Sequence, residues 1–96
     1  MIAVSWSSSA KIDYWSNIEY LELEWSLSEV FQFMDKVDEV LELLIKQNID
    51  FKQSDFKRTF QVPIVKQITL FYKIENNTIL LVRFWNNYKN PKKLKL

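Results

Sequence analysis

The chain has 96 residues, of which 48% are hydrophobic and 26% charged, enough for one domain (1–96) with a single core and too few for two. It contains no cysteine and no histidine, which excludes a disulfide scaffold and the usual thiolate or imidazole metal sites, so neither metal nor cofactor is expected. The formal net charge of +1 conceals a division: through Asp50 three lysines stand against ten carboxylates, a net of −7, and from Phe51 onward ten cations stand against two carboxylates, a net of +8.

A basic half of this kind attracts nucleic acid or an acidic protein segment. No apolar run approaches the roughly 20 residues that cross a bilayer, and the opening MIAVSWSSSAK lacks the basic and long apolar regions of a signal peptide. A cytoplasmic protein with no membrane contact is therefore expected.

Ile2, Val4 and Trp6 alternate with Ala3 and Ser5, the period of a short strand. Ser7, Ser8 and Ser9 then offer hydroxyls to the free N–H groups of a helix start. The first helix is expected from near Ser9 to Trp25, burying Tyr14, Ile18, Leu21 and Trp25, with Trp15 widening the stripe and Asp13, Glu19 and Glu24 on the reverse. Ser26 and Glu29 have the spacing of a capping box, which breaks that helix and opens a second. Val30, Phe33, Met34, Val37, Val40, Leu41 and Leu44 form the second apolar stripe, ending near Asn48.

A polar loop through Gln53 follows. Phe60, Val62 and Ile64 alternate with polar neighbours in a strand where Pro63 cannot donate to a ladder, which places it at an edge or a bulge. ITLFYKIE and TILLVRFW then read as an antiparallel hairpin turning at Asn76-Asn77. Strict alternation puts Ile68, Leu70, Tyr72 and Ile74 on one face with Thr78, Leu80, Val82 and Phe84. Phe71, Lys73, Ile79, Leu81, Arg83 and Trp85 fall on the other, which mixes apolar and cationic groups and needs a cover, either the chain's own tail or a partner. The expected order β-α-α-β-β-β is an α+β domain, a helical hairpin packed on a small, largely antiparallel sheet.

The string FYKIENNTILLVRFWNNYKNPKKL resembles the C-terminal signature of the RelE/ParE family, the toxins of type II toxin-antitoxin pairs, in which a similar hairpin ends in Arg-x-Trp-Asp/Asn and a Pro-x-Lys-Leu tail. The element order agrees with that family's fold, and the resemblance covers nearly the whole chain. It implies a growth-inhibiting toxin neutralised by a cognate antitoxin. It leaves three modes of action open: ribosome-dependent mRNA cleavage, ParE-like inhibition of DNA gyrase without catalysis, or a divergent inactive toxin that only binds its antitoxin.

Cleavage by a ribose 2′-OH needs a base, a cation for the phosphate oxygens and an acid for the leaving oxygen. Without histidine, the work falls to Lys, Arg, Tyr or a carboxylate: Arg83 and Lys66 resemble the family's basic positions, Tyr88 is eligible as a proton donor, and Arg58, Lys89, Lys92 and Lys93 are expected as RNA or phosphate contacts. The bland alternatives are that Arg83 pairs with a carboxylate or stacks on Trp85, that Lys66 is a solvated turn lysine, and that Tyr88 pins the tail. The implied antitoxin surface is Phe71, Lys73, Ile79, Leu81 and Trp85. Departures from the family pattern fall at Lys52-Gln53, where Gly-Arg is frequent, at Gln61 and Pro63, where basic residues are frequent, and at Tyr88, where arginine is common.

Overall fold

The computed structural model describes residues 2–46, 58–89 and 93–94. Its elements are β1 (Ala3–Trp6), α1 (Ser8–Glu24), α2 (Leu27–Ile45), β2 (Phe60–Val65), β3 (Ile68–Glu75) and β4 (Thr78–Asn86), in the expected order. The sheet runs β1-β4-β3-β2, with β1 parallel to β4 and the other two pairings antiparallel. Both helices pack against this sheet, α1 mainly on β4 and α2 on β2.

Local chemistry explains the boundaries. Ser7 caps α1 by accepting the Ala10 N–H at 3.0 Å, and Ser26 caps α2 by accepting the Glu29 N–H at 3.3 Å. Each cap satisfies a donor that the first helical turn leaves without a partner. The Glu29 carboxylate turns toward the Gln67 amide at 3.5 Å. At the β3–β4 turn Asn76 and Asn77 adopt φ of 49° and 63°, the left-handed pair of a type I′ hairpin, which asparagine tolerates best in a chain with no glycine. Pro63 lies on the edge strand β2, beside a register shift between Pro63 and Val65, where its missing N–H costs no ladder bond.

The core lies between the helices and one sheet face, with Leu21 from α1, Val30, Phe33, Val37, Val40 and Leu44 from α2, Val62 and Ile64 from β2, and Ile68, Leu70 and Tyr72 from β3. From β4 it takes Ile79, Leu81 and Phe84, which corrects the strict alternation expected of that strand. Phe71 pairs with Arg83 but Tyr72 pairs with Leu81, so Val82 is an extra residue, a β-bulge that changes the phase of the strand. Ile79 and Leu81 precede the bulge and face the helices; Leu80, between them, faces outward. Two further expectations change: Trp15 and Trp25 are exposed, and Asp13 turns toward the sheet.

That turn of Asp13 completes the sheet. β1 pairs with β4 only as far as Leu81, and beyond it α1 takes the place of a strand. Ser7 donates its N–H to the Leu81 carbonyl at 3.0 Å and its hydroxyl to the Val82 carbonyl at 2.9 Å. Asp13 Oδ2 accepts the Phe84 N–H at 3.0 Å, and the buried Asn17 donates Nδ2–H to the Phe84 carbonyl at 2.9 Å. The same Asp13 carboxylate holds Arg83 through Nε at 2.6 Å and Nη2 at 2.9 Å.

Asp13→Ala therefore removes the partner of a backbone donor and of a largely buried guanidinium. Its expected cost in urea unfolding is about 2–4 kcal/mol, toward the lower side of buried-pair losses because both side chains keep some solvent access; a change below ~0.5 kcal/mol would contradict this role. Leu81→Asp is expected to abolish the cooperative thermal transition seen by circular dichroism, whereas Leu80→Asp preserves it. The reverse order would show that the bulge is misplaced.

Candidate functional site

Arg83, the residue in the RFW segment, is placed by β4 at the sheet edge and committed twice. Its guanidinium makes the two-point ion pair with Asp13 and lies 5.6 Å from the Trp85 ring centre. The hydrogen bond to Asp13 raises the Arg83 pKa further above its ordinary value, with partial burial opposing it. Both bland alternatives for this residue, a carboxylate partner and a tryptophan face, are realised together.

Lys66 and Tyr88 each contact Trp25 instead. Lys66 lies in the two-residue turn between β2 and β3, and its ammonium sits 4.5 Å from the centre of the Trp25 ring. Tyr88 stacks on the same Trp25, with ring centres 6.2 Å apart and planes 16° from parallel. Trp25 is fixed in turn by its Nε1–H, which donates to the Tyr20 hydroxyl at 3.2 Å. Asn86 and Asn87 aim the start of the tail: Asn86 Oδ1 accepts the Tyr88 N–H at 2.9 Å, and Asn87 donates Nδ2–H to the Lys66 carbonyl at 3.0 Å and its N–H to the Gln67 carbonyl at 2.7 Å. The cluster remains open to solvent, with Trp25 40% and Tyr88 60% exposed.

Three residues expected around one phosphate thus fall into two neighbourhoods. Ile68 pairs with Asn86 and Phe71 with Arg83, so Arg83 lies three residues, roughly 10 Å at ~3.3 Å per residue, up the ladder from the Lys66 end. Of the remaining cations, Arg58 is exposed just before β2 with φ of 59°, and Lys89 and Lys93 are exposed in the tail. Lys92, Lys52 and Gln53 lie outside the described residues. No group of three or more acidic side chains suited to a metal ion occurs among the described residues.

The expected antitoxin surface also needs correction. Ile79 and Leu81 are in the helix-side core, and Phe71 and Trp85 are only 4% and 8% exposed. Lys73 alone of the five keeps substantial access. Exposed apolar side chains gather instead on the helices, at Ile12, Trp15, Leu23, Leu27 and Phe31. Asp13, Asn17 and Trp25 are the positions that sequence reasoning missed. Asn17 gave a usable signal, because a polar residue at the inward spacing Ala10, Tyr14, Asn17, Leu21 marks a buried hydrogen bond rather than a wet face.

No protein-family model matches the sequence, and no curated protein matches it. Solved structures do match. A chain of the chromosomal ParDE TA system from P. aeruginosa aligns with a TM-score of 0.72 at 10% identity, covering 90% of this chain and 96% of that one. The YoeB-YefM toxin-antitoxin complex from Staphylococcus aureus aligns at 0.61 with 16% identity, over 92% and 99% of the two chains. YafQ from E. coli aligns at 0.61 with 15% identity, over 91% and 94%. With its helical hairpin on a four-stranded mixed sheet, the chain has the RelE/ParE-type fold that these structures share.

Proposed function

We propose that the chain is the toxin of a type II toxin-antitoxin pair and arrests growth until a cognate antitoxin binds it. The observation that carries this reading is the agreement of the fold along nine-tenths of the chain with a ParDE chain, supported by the YoeB-YefM complex, in which a toxin of this fold is bound to its antitoxin.

The geometry favours action by binding over RNA cleavage. A phosphate-stabilising arginine must have its N–H groups free for the developing charge, whereas two of those groups on Arg83 are engaged by Asp13. Lys66 and Tyr88, which converge on Trp25, lack that third participant. A target-blocking toxin needs only a complementary surface, and this chain offers exposed Trp25, Leu27, Phe31 and Tyr88 around the end of the helical hairpin. Among the described residues no helix is long and apolar enough to cross a membrane, and the proposed target is a soluble macromolecule of the cytoplasm. One observation supports the cleaving alternative: the structure groups Lys66 with Tyr88, two of the three residues assigned to the chemistry.

Induction of the chain in bacteria is expected to arrest growth, and unchanged growth would overturn the toxin reading. Purified protein is expected to leave ribosome-bound mRNA intact, and Tyr88→Phe, which keeps the stacking ring and loses the hydroxyl, is expected to retain full toxicity. Cleavage of ribosome-bound mRNA that disappears in Lys66→Ala and Tyr88→Phe would establish the nuclease in its place. Inhibition of supercoiling by purified gyrase would identify the blocked target as that enzyme.

A further inference from the structure

The outer side of α1 carries two adjoining depressions that play no part in the proposed toxin chemistry. One, of about 340 Å³, is lined by Trp6, Lys11, Tyr14, Trp15, Val37 and Asp38. The other, of about 470 Å³, contains Ile12, Ser16, Ile18 and Glu19 and shares Trp15 and Lys11 with the first. Trp15, 65% exposed, forms the ridge between them.

The first depression has the chemistry of a cation receptor. The rings of Trp6 and Trp15 each stand 5.4 Å from Tyr14 and at 89° to it, so three aromatic groups meet as walls rather than as a flat stack. Aromatic faces attract ammonium and guanidinium groups through the negative potential above the ring. Asp38 adds a full negative charge at the wall and has no ion-pair partner among the described residues. That charge is felt locally, since burial and then Asp38 push the Tyr14 phenol above its ordinary pKa.

We infer that this groove docks a basic segment of a protein partner, seating an arginine or lysine against Trp15 and Asp38 and an apolar side chain beside Ile12. A chain segment is favoured over a free small cation because the apolar second depression continues the first across the single Trp15 ridge. Charge complementarity supports a basic occupant: α1 and α2 together hold two lysines against nine carboxylates, a net of −7. Lys11 is the opposing group; it is exposed on a long flexible stem and stands where it repels the incoming cation.

The test is titration of the full chain with a blocked pentapeptide carrying one arginine and one leucine, followed by the indole N–H signals of Trp6 and Trp15 in NMR spectra. Saturable shifts at both indoles are expected, with no response to the same peptide bearing glutamine for arginine. Trp15→Leu, read at Trp6, and Asp38→Asn are each expected to weaken binding roughly two- to fivefold, as loss of one exposed cation–aromatic contact or ion pair does. Lys11→Ala is expected to tighten it. Equal response to the glutamine peptide, indifference to Trp15→Leu or Asp38→Asn, or weakening by Lys11→Ala would overturn the assignment. Argininamide saturating at the same concentration as the peptide would overturn the protein-segment occupant and leave a free-cation site. None of these readouts depends on toxicity, so their failure is distinct from failure of the toxin reading.

Discussion

The architecture depends on a helix doing what a strand does elsewhere. β4 is the hub of the sheet, yet its parallel partner β1 supplies only four residues, Ala3–Trp6. An open continuation of that edge would leave the Phe84 N–H and carbonyl without partners, each costing about 1–3 kcal/mol once buried. Asp13 and Asn17, one turn apart on α1, meet those two groups. The arrangement also removes a template on which another chain could add a strand. It fixes the position of α1 along β4 by directional bonds, where apolar packing alone would allow sliding.

Completing that edge has a chemical consequence for Arg83. The bulge at Val82 displaces the strand so that Arg83 and Phe84 are both within reach of one carboxylate. A guanidinium in a two-point pair with a side chain only 13% exposed is a structural group first. Freeing it for a phosphate would leave Asp13 in a poorly hydrated place with one partner, at a cost of about 2–4 kcal/mol, below that of a fully buried pair because both side chains keep some solvent access. The stability of the sheet edge and the availability of an arginine for catalysis are opposed, and the geometry resolves the opposition toward stability.

Much of this was legible in the residues. Period and caps located both helices, the Asn76-Asn77 turn located the hairpin, and Pro63 announced an edge. The bulge was not legible, because alternating Ile79, Leu81 and Arg83 look like one face until a single inserted residue divides them; that phase error accounts for Ile79 and Leu81 in the expected antitoxin surface, whereas Phe71 and Trp85 keep the expected face and are buried on it. Trp25 was read as core because its spacing continues the Leu21 stripe, but α1 ends at Glu24, and a side chain beyond the last turn no longer follows the helical period. Of the residues assigned to phosphate chemistry, Arg83 lies with Asp13 while Lys66 and Tyr88 lie with Trp25, a separation that no pattern along the chain announces.

The distribution of exposed apolar groups bears on what a partner can do. Fully covering a large apolar side chain contributes roughly 1.5–3 kcal/mol, against about 0.2–1 kcal/mol for an exposed ion pair. The tail and β3 offer a partner the cations Lys73, Lys89 and Lys93 with two exposed apolar groups, Ile74 and Tyr88, whereas α1 and the start of α2 offer Ile12, Trp15, Leu23, Leu27 and Phe31. Tight association should accordingly be governed by the helices, and the cationic end should set encounter rates and salt dependence. The two surfaces carry opposite charge, so a macromolecule drawn to one is repelled by the other, and a single partner that engages both must itself be divided into an acidic and a basic part.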